Sequence, residues 1–236
     1  MNPYQKLQQR KRTWTPVQTT AGTGRDGSQE TIYRALAMRH MELPVGSFIQ
    51  DALSEIPALS ADLLRSNVKD EENHDLALGY IANALGVDET AEAEAKRLRD
   101  AWEAHPDHTV LKALVAERAI FFVLLPFFRF NGDAGLRTVS ADISRDEQVH
   151  VAANSLVCKE LGLEISPSLD KLRKATINWV MTPLKASTNK YLDKKFWLDA
   201  SDRLMYEGKA PELSDTKRAR MPAFFEHANP NLPQYA

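Results

Sequence analysis

The sequence contains little cysteine, glycine or proline, and each shortage limits what the protein can be. Its one cysteine, Cys158, among 236 residues excludes an internal disulfide and a zinc site built from cysteines, and it favours a reducing cytoplasmic location. Cys158 follows the pattern of an apolar helix face, which predicts a buried side chain. The 10 glycines and 12 prolines rarely interrupt the chain, and no stretch shows sustained strand alternation. We therefore expect an all-α protein of the cytoplasm.

Strong charge of either sign and long apolar runs are also missing. The chain has 30 Lys and Arg against 32 Asp and Glu, a net charge of −2, so it has no electrostatic footprint for nucleic acid or for an anionic membrane. The most apolar run, residues 119–128, contains Pro126 and is too short to span a bilayer. The polar N-terminus shows no signal peptide. A basic cluster there is expected to be solvated: Lys6, Arg10, Lys11 and Arg12.

Helical signals recur along the chain. Ser47 and Ser60 are expected to cap helix N-termini, and Gly86 is expected to end the long helix that begins near Ser60. The apolar spacing and the breakers together predict helices over residues 28–42, from Ser47, and over 60–85, 88–104, 109–130, 134–161, 168–185 and 191–206.

The composition divides the chain into three parts. Residues 1–27, whose second half is rich in Thr and Gly, predict an irregular leader. Residues 28–210 predict one helical domain, and residues 211–236, which are richer in proline, predict a tail packed on that domain. Within the domain, the highly charged helix is expected to be exposed, with an i,i+4 ion pair between Glu92 and Lys96.

Two four-residue motifs each place a glutamate and a histidine one helical turn apart. Glu71 and His74 lie on one predicted helix, and Glu147 and His150 lie on a later one. At a spacing of i and i+3 both side chains lie on one helix face, so a carboxylate and an imidazole can reach the same metal ion. In ferritin-like bundles, two helices each supply such a pair and two others each supply a single glutamate. This mixture of ligands favours iron or manganese.

The helix before the second motif carries a candidate single glutamate. Glu117 is the only acidic residue in the apolar stretch 110–130. A carboxylate among Ala, Ile, Phe, Val and Leu side chains is costly to bury unless it is paired or bound to metal. A salt bridge to Arg118 or Arg129 is the structural alternative. We prefer the interpretation of Glu117 as a metal ligand.

The fourth carboxylate is expected from the helix before the first motif. Glu42 ends that predicted helix and is the preferred candidate. Glu30 lies in its first turn, where a surface role that complements the helix dipole is expected, and Glu55 is too close to the first motif to come from a separate bundle helix. His40 lies on the right element but lacks the carboxylate chemistry. The remaining histidines are expected to be structural or at the surface: His105, His108 and His227.

These motifs resemble the small, radical-generating subunit of class I ribonucleotide reductase, a family of the ferritin-like di-iron carboxylate superfamily. Residues 143–150, ISRDEQVH, resemble that family's I-x-R-D-E-x-x-H helix. Glu117 opens the segment ERAIFF, which is similar to the family's E-x-I-x-F-Y segment. Trp14 begins a W-x-P segment, and residues 229–233, NPNLP, resemble its N-P-x-P stretch with one residue inserted.

The resemblance implies a ferritin-like four-helix bundle with flanking helices, which holds two iron ions or one manganese and one iron. The implied metal ligands are Glu42, Glu71, His74, Glu117, Glu147 and His150. Asp146 would hydrogen-bond the ring of His74 and fix its tautomer, and with Trp14 it would form an electron path to the metals. Dioxygen, a second copy of the chain and a large reductase subunit are the implied partners, without nucleic acid or membrane.

Two positions depart from the family pattern. The family carries its radical tyrosine four residues after the first ligand histidine, where this chain has Leu78. Tyr80 is nearby, but two residues further round the helix it is expected to point elsewhere. The family also continues past the N-P segment into a tail that docks on the large subunit, whereas this sequence ends at Ala236.

The sequence therefore predicts an oxygen-activating di-metal oxidoreductase that generates an oxidant or radical for ribonucleotide reduction. The alternative is a stand-alone di-iron oxygenase or oxidase that acts on a small apolar substrate such as a fatty aldehyde, and both departures favour it. Iron storage is a third and less favoured hypothesis, because ferritin bundles are shorter and assemble into cages.

Overall fold

The computed structural model describes residues 1–22 and 24–213, and these residues form helices without any β-strand. The prediction of an all-α protein is confirmed. The α-helices are α1 (Pro3–Gln8), α2 (Gln29–Ala37), α3 (Glu42–Ala52), α4 (Ala61–Leu85), α5 (Glu89–Glu103), α6 (Thr109–Ala116), α7 (Phe122–Asn131), α8 (Ala134–Glu160), α9 (Pro167–Met181) and α10 (Lys194–Glu207). In this described part, no helix is both long and apolar enough to cross a membrane.

At the centre of the molecule lie α3, α4, α8 and the length of helix that α6 and α7 form together. Helix α3 contacts α4 and α6, and helix α8 contacts α4, α6 and α7. Helices α2, α5, α9 and α10 surround this group and contact one another in pairs. The apolar side chains of all of them form one continuous core, which includes the buried Cys158 that the sequence predicted. The arrangement brings both Glu/His motifs, on α4 and α8, to the same interior space.

The first predicted helix, residues 28–42, ends earlier than expected. Helix α2 stops at Ala37, and a tight 3-10 turn, Met38–Met41, follows it. Glu42 begins α3 and does not end the first helix, so that part of the prediction is wrong. Pro44 lies in the first turn of α3, where its missing N–H costs nothing, so it does not stop the helix. Ser47 lies inside α3 and donates to the Leu43 carbonyl at 3.1 Å, so it is not the predicted N-cap.

The helix that ends at Leu85 was predicted well, although its N-cap differs from expectation. Ser60 stands at the N-cap position of α4, but its side chain does not cap the helix. It donates to the Pro57 carbonyl at 2.6 Å. Gly86 ends α4 with φ +85°, a conformation that favours glycine.

Helix α5 lies at the surface, as its charge predicted, and packs one face against its neighbours. Ala95 and Trp102 are fully buried along one face. Glu92 accepts two hydrogen bonds from Arg39, at 2.6 and 2.9 Å, and lies 2.6 Å from the His40 ring. The predicted pair between Glu92 and Lys96 is therefore wrong, because a bidentate arginine is the stronger partner.

The N-terminal segment is more ordered than the predicted irregular leader. Residues 3–8 form helix α1, whose Tyr4 is buried and donates to Glu160 at 2.8 Å. Lys11 is nearly buried in a salt bridge to Asp70, so the prediction of a solvated basic cluster is wrong for this residue. Gly22 donates its N–H to Asp133 at 2.6 Å, and a Cβ there would lie 2.8 Å from the Asp133 Cβ.

The C-terminal predictions concern residues that are largely outside the described range. Residues 214–236, with His227 and the NPNLP segment at 229–233, lie outside it. The packing of the tail on the domain therefore stays a prediction, as does the division of the chain at residues 27 and 210.

Candidate metal centre

The structure brings all the predicted ligands together in the interior. Glu42 begins α3, Glu71 and His74 lie one turn apart on α4, and Glu147 and His150 do the same on α8. Glu117 lies in the irregular turn between α6 and α7. We call this group the carboxylate cluster, and each of its members is at most 1% exposed: Glu42, Glu71, His74, Glu117, Glu147 and His150.

One half of the carboxylate cluster surrounds the Nδ1 atom of His74. This nitrogen lies 3.2 Å from Glu71 Oε2, 3.4 Å from Glu147 Oε1 and 3.7 Å from Glu42 Oε2. One atom from each of these four residues lies within 4.8 Å of the others, so together they could hold a metal ion.

The other half surrounds the Nδ1 atom of His150. This nitrogen lies 3.0 Å from Glu71 Oε1, 3.8 Å from Glu147 Oε2 and 3.9 Å from Glu117 Oε1. Glu71, Glu117 and His150 satisfy the same distance limit of 4.8 Å. Glu71 and Glu147 thus present one oxygen to each half, which is the arrangement required of a carboxylate that bridges two ions.

Glu117 is presented by a π-helical turn, Glu117–Phe121, between α6 and α7. Such turns are rare and occur frequently at functional sites. Within this turn, the Ala119 carbonyl accepts a hydrogen bond of 2.6 Å from the buried hydroxyl of Ser201 on α10. Glu117 itself accepts a hydrogen bond of 2.8 Å from Asn154. Arg118, one of the two salt-bridge partners considered from the sequence, instead donates to the Leu204 carbonyl at 2.7 Å.

Several buried polar atoms of the carboxylate cluster lack a hydrogen-bond partner within the described part of the chain. They are Glu42 Oε2, Glu71 Oε1, Glu117 Oε1, both Glu147 oxygens and His150 Nδ1. Buried polar groups are normally paired, so unpaired oxygen and nitrogen atoms that converge on one space have the arrangement that a cation-binding site requires. Four carboxylates and two neutral imidazoles carry four negative charges, which two divalent ions would balance. The residues present therefore fit a pair of metal ions, although they do not identify the metal.

Burial and mutual repulsion shift the pKa values of the cluster. Burial, helped by the charge of neighbouring glutamates, raises the pKa of these carboxyls: Glu42, Glu117 and Glu147. Burial also acts to raise the pKa of Glu71, but the charge of His150 and the hydrogen bond between Glu71 and His74 outweigh it and lower that pKa. Burial acts to lower the pKa of His74 and His150, yet the surrounding carboxylates raise both. The metal-free cluster therefore holds protons that metal ions must displace.

Each histidine of the carboxylate cluster contacts an aspartate through its Nε2 atom, on the opposite side of the ring from the glutamates. His74 Nε2 lies 3.2 Å from Asp146 Oδ2, and His150 Nε2 lies 2.9 Å from Asp70 Oδ2. Since Nε2 of each ring faces an aspartate, a proton placed there leaves the Nδ1 lone pair free to bind metal. Trp14 Nε1 donates to Asp146 Oδ2 at 2.6 Å. The structure thus contains the predicted hydrogen bond between Asp146 and His74 and adds one from Trp14, while the electron path through Trp14 stays a prediction.

Sequence reasoning missed Asp70, although the sequence carries a signal for it. Both motifs are preceded by aspartate, so both read D-E-x-x-H, at residues 70–74 and 146–150. Each aspartate supports the histidine of the opposite motif. Burial acts to raise the pKa of Asp70, but the hydrogen bond to His150 and the charge of Lys11 lower it.

The rival residues lie away from the carboxylate cluster. Glu30 pairs with Arg34 at 3.0 Å, and its side chain is 63% exposed. Glu55 lies 3.1 Å from the His108 ring and is likewise mostly exposed. His40 contacts Glu92 on α5, and the ring of His105 lies 3.2 Å from the Ser168 hydroxyl.

The position of the family's radical tyrosine is filled by an apolar side chain. Leu78 lies one turn beyond His74 on α4 and is buried. Tyr80 is half-buried further along the same helix.

No protein-family model, curated protein or solved structure matches this chain significantly.

Proposed function

We propose that this chain is an oxygen-activating di-metal carboxylate protein with a ferritin-like four-helix core, and that it acts as an oxidoreductase similar to the small subunit of ribonucleotide reductase. The observation that carries the proposal is the buried pair of Glu/His groups that share Glu71 and Glu147. The proposed metals are two iron ions, or one manganese and one iron, since carboxylate oxygens with imidazole suit these ions.

The ferritin-like assignment is supported by the division of ligands among helices. In ferritin-like di-iron proteins, two helices supply Glu-x-x-His and two supply one glutamate each. Here α4 and α8 supply the pairs, α3 supplies Glu42, and the turn between α6 and α7 supplies Glu117. His74 and Glu42 would hold one ion, His150 and Glu117 the other, and Glu71 and Glu147 would bridge them. When bound and reduced, such ions react with dioxygen and supply a strong oxidant.

The residues around the proposed metals orient ligands and exclude water. Asp146 and Asp70 fix the ring orientation and the proton position of the two histidines. The nearly complete burial of every ligand keeps bulk solvent from the site. Trp14 stacks near His74, with ring centroids 6.2 Å apart and an interplanar angle of 20°. Because an indole can be oxidised and Trp14 is partly exposed, it is the proposed exit for one oxidising equivalent toward a large reductase subunit, with one electron passing from the indole to the centre.

Metal content tests the site directly. The purified protein is expected to bind about two Mn²⁺ or Fe²⁺ ions per chain, as carboxylate bundles do. His150→Ala removes one imidazole and should lose at least one ion. His105→Ala is the matched control, because His105 contacts Ser168 away from the cluster. Elemental analysis after gel filtration measures both. Full occupancy in His150→Ala, or loss in the control, would contradict the proposal.

A second candidate is the stand-alone oxygenase or oxidase acting on a small apolar substrate. The buried Leu78 favours it, because an apolar side chain in the usual tyrosine position cannot store the oxidant. Electron paramagnetic resonance on the reduced protein after oxygen addition distinguishes the two. We expect no tyrosyl radical. A long-lived tyrosyl signal that Tyr80→Phe abolishes would restore a conventional reductase subunit. Oxidation of an added fatty aldehyde without any partner protein would favour the oxygenase.

A further inference from the structure

The N-terminal segment contacts both aspartates that support the ligand histidines. Lys11 Nζ lies 2.5 Å from Asp70 Oδ2, and Trp14 Nε1 lies 2.6 Å from Asp146 Oδ2. Lys11 and Trp14 are three residues apart, and this short segment contacts both α4, at Asp70, and α8, at Asp146. Residues 11–14 therefore hold both halves of the carboxylate cluster from the outside, one through each D-E-x-x-H motif.

Lys11 occupies a site that uses its whole ammonium group. Besides Asp70, it donates to Ser66 Oγ at 2.8 Å and to Asn67 Oδ1 at 3.0 Å. A lysine has three N–H donors, and all of them are directed at α4. Its side chain is 11% exposed, against 45% for the neighbouring Arg12, which pairs with Asp142 at 3.4 Å. Exposed ion pairs contribute little to stability, but a nearly buried ammonium group with three hydrogen-bond partners holds the Asp70 carboxylate in one position.

The two contacts occupy equivalent places but differ in chemistry. One chain runs from Trp14 through Asp146 to His74, and the other runs from Lys11 through Asp70 to His150. An indole N–H is neutral and its ring can be oxidised. An ammonium group carries a fixed positive charge and cannot be oxidised at accessible potential.

We infer that Lys11 is a positioning residue of the metal centre: through Asp70 it fixes the ring of His150, and it is the redox-inert counterpart of Trp14. This inference rests on the proposed function, because it concerns the ion that His150 and Glu117 would hold. The proposed metal centre is then asymmetric, because an aspartate contacts each histidine but only His74 is connected to an oxidisable side chain.

The sign of the Lys11 effect follows from two opposed contributions. Removal of a positive charge close to two cations would by itself strengthen metal binding. Loss of the group that orients Asp70, and through it His150, weakens metal binding, and outer partners of ligand histidines typically change metal affinity about 10–100-fold. A positioning role therefore predicts weaker binding, whereas a purely electrostatic role predicts tighter binding.

Cobalt(II) titration under anaerobic conditions, followed by the visible absorption of the bound ion, tests the inference. Wild-type protein is expected to bind two ions, and Lys11→Met should weaken one of them about 10–100-fold and leave the other unchanged. Lys11→Arg, which keeps the charge and the donors, should recover affinity relative to Lys11→Met. Arg12→Met is the matched control and should bind as wild type. Should Lys11→Met fail to fold, Lys11→Gln replaces it, since it is also uncharged.

The imidazole N–H protons of the cobalt-loaded protein supply a readout that a general structural role would not move. Each ligand histidine is expected to give one shifted, exchangeable signal in the proton magnetic resonance spectrum. Lys11→Met should speed the exchange of the His150 signal alone, and Trp14→Phe that of the His74 signal alone. Unchanged or tighter cobalt binding in Lys11→Met, or equal effects on both signals, would overturn the inference. If wild-type protein binds no cobalt, the proposed function fails and the inference with it.

Discussion

In the described part of the chain, two clusters that each contain buried ionisable side chains differ in whether their charged groups are matched. In the arginine cluster (Arg173, Asp170, Asp202 and Ser201), the fully buried guanidinium donates to both aspartates and to the serine at 2.7–2.9 Å. In the carboxylate cluster, four glutamates meet two histidines, and several oxygens have no hydrogen-bond partner within the described residues. Each cluster contains a fully buried ionisable side chain, so burial alone does not mark a functional site. The excess of carboxyl groups over cationic partners does.

The arginine cluster is connected to the carboxylate cluster through hydrogen bonds and the backbone. Arg173 donates to Ser201, whose hydroxyl donates to the Ala119 carbonyl within the π-helical turn. That turn presents Glu117 to the interior. One cluster thus supports the shape of the other without sharing a charge with it.

The largest expected effect comes from breaking the charge match in the arginine cluster. The double variant Asp170→Ala, Asp202→Ala leaves a buried guanidinium without an anion and should lower the free energy of unfolding by about 3–5 kcal/mol. Asp199→Ala on the same helix, α10, removes a surface pair with Lys195 and should cost less than about 1 kcal/mol. Urea unfolding with a chelator present measures both. Equal losses in the two variants would show that the arginine cluster is no better matched than the surface.

The next effect sharpens the comparison at Glu117. Burial raises the pKa of this carboxyl, so Glu117→Gln replaces a neutral acid by a neutral amide that can still accept from Asn154. The metal-free stability should change by less than about 1 kcal/mol. The stabilisation by added Mn²⁺, about 2.7 kcal/mol per site at one hundred times the dissociation constant, should fall for one site. Thermal unfolding with and without Mn²⁺ measures the difference. A salt-bridge role would give the reverse pattern: lower metal-free stability and unchanged metal binding.

The third expected effect is a difference in pH dependence. Because the pKa values of Glu42, Glu117 and Glu147 are raised above 4.5, the metal-free folded protein holds protons that the unfolded chain releases. Its stability should therefore be lower at pH 7.5 than at pH 5.5. The raised pKa values of both histidines act in the same direction above pH 6.5.

Metal should reverse this slope, because the ligands must lose their protons to bind. With excess Mn²⁺ the stability should rise over the same range. The arginine cluster adds no slope there, since hydrogen bonds outweigh burial and lower the pKa of Asp170 below 3.8. Urea unfolding at the two pH values, with chelator and with Mn²⁺, measures both slopes. A metal-free stability that rises with pH would contradict the assignment of protons to the cluster.

The all-α class and the convergence of the predicted ligands could be derived from the sequence because both depend on short-range spacing. The i and i+3 placement of Glu71 with His74 sets one helix face regardless of tertiary structure, and the apolar surroundings of Glu117 make its burial costly without a partner. The start of α3 at Glu42 was missed, because Pro44 reads as a helix stop although it is acceptable in a first turn.

Other features depend on contacts between residues that are far apart in the chain. The burial of Lys11 requires Asp70 on α4, and the pairing of Glu92 with Arg39 requires the approach of α5 to the turn after α2. Neither leaves a periodic signal. The π-helical turn also leaves no signal in the sequence: it packs against α10, where Ser201 donates to the Ala119 carbonyl.

Because of the π-helical turn, the consequence of deleting one residue depends on where in the chain the deletion falls. Each residue of a regular helix advances by about 100°, so deletion of one residue between 118 and 121 would join α6 and α7 into one regular helix while rotating Glu117 by about that angle relative to Phe122. The new helix would satisfy its own backbone, and the carboxylate would turn away from its partners. A descendant of this protein could thus keep its architecture and lose one ion through a single-codon deletion, whereas a deletion in the evenly wound α4 would shift Glu71 and His74 together.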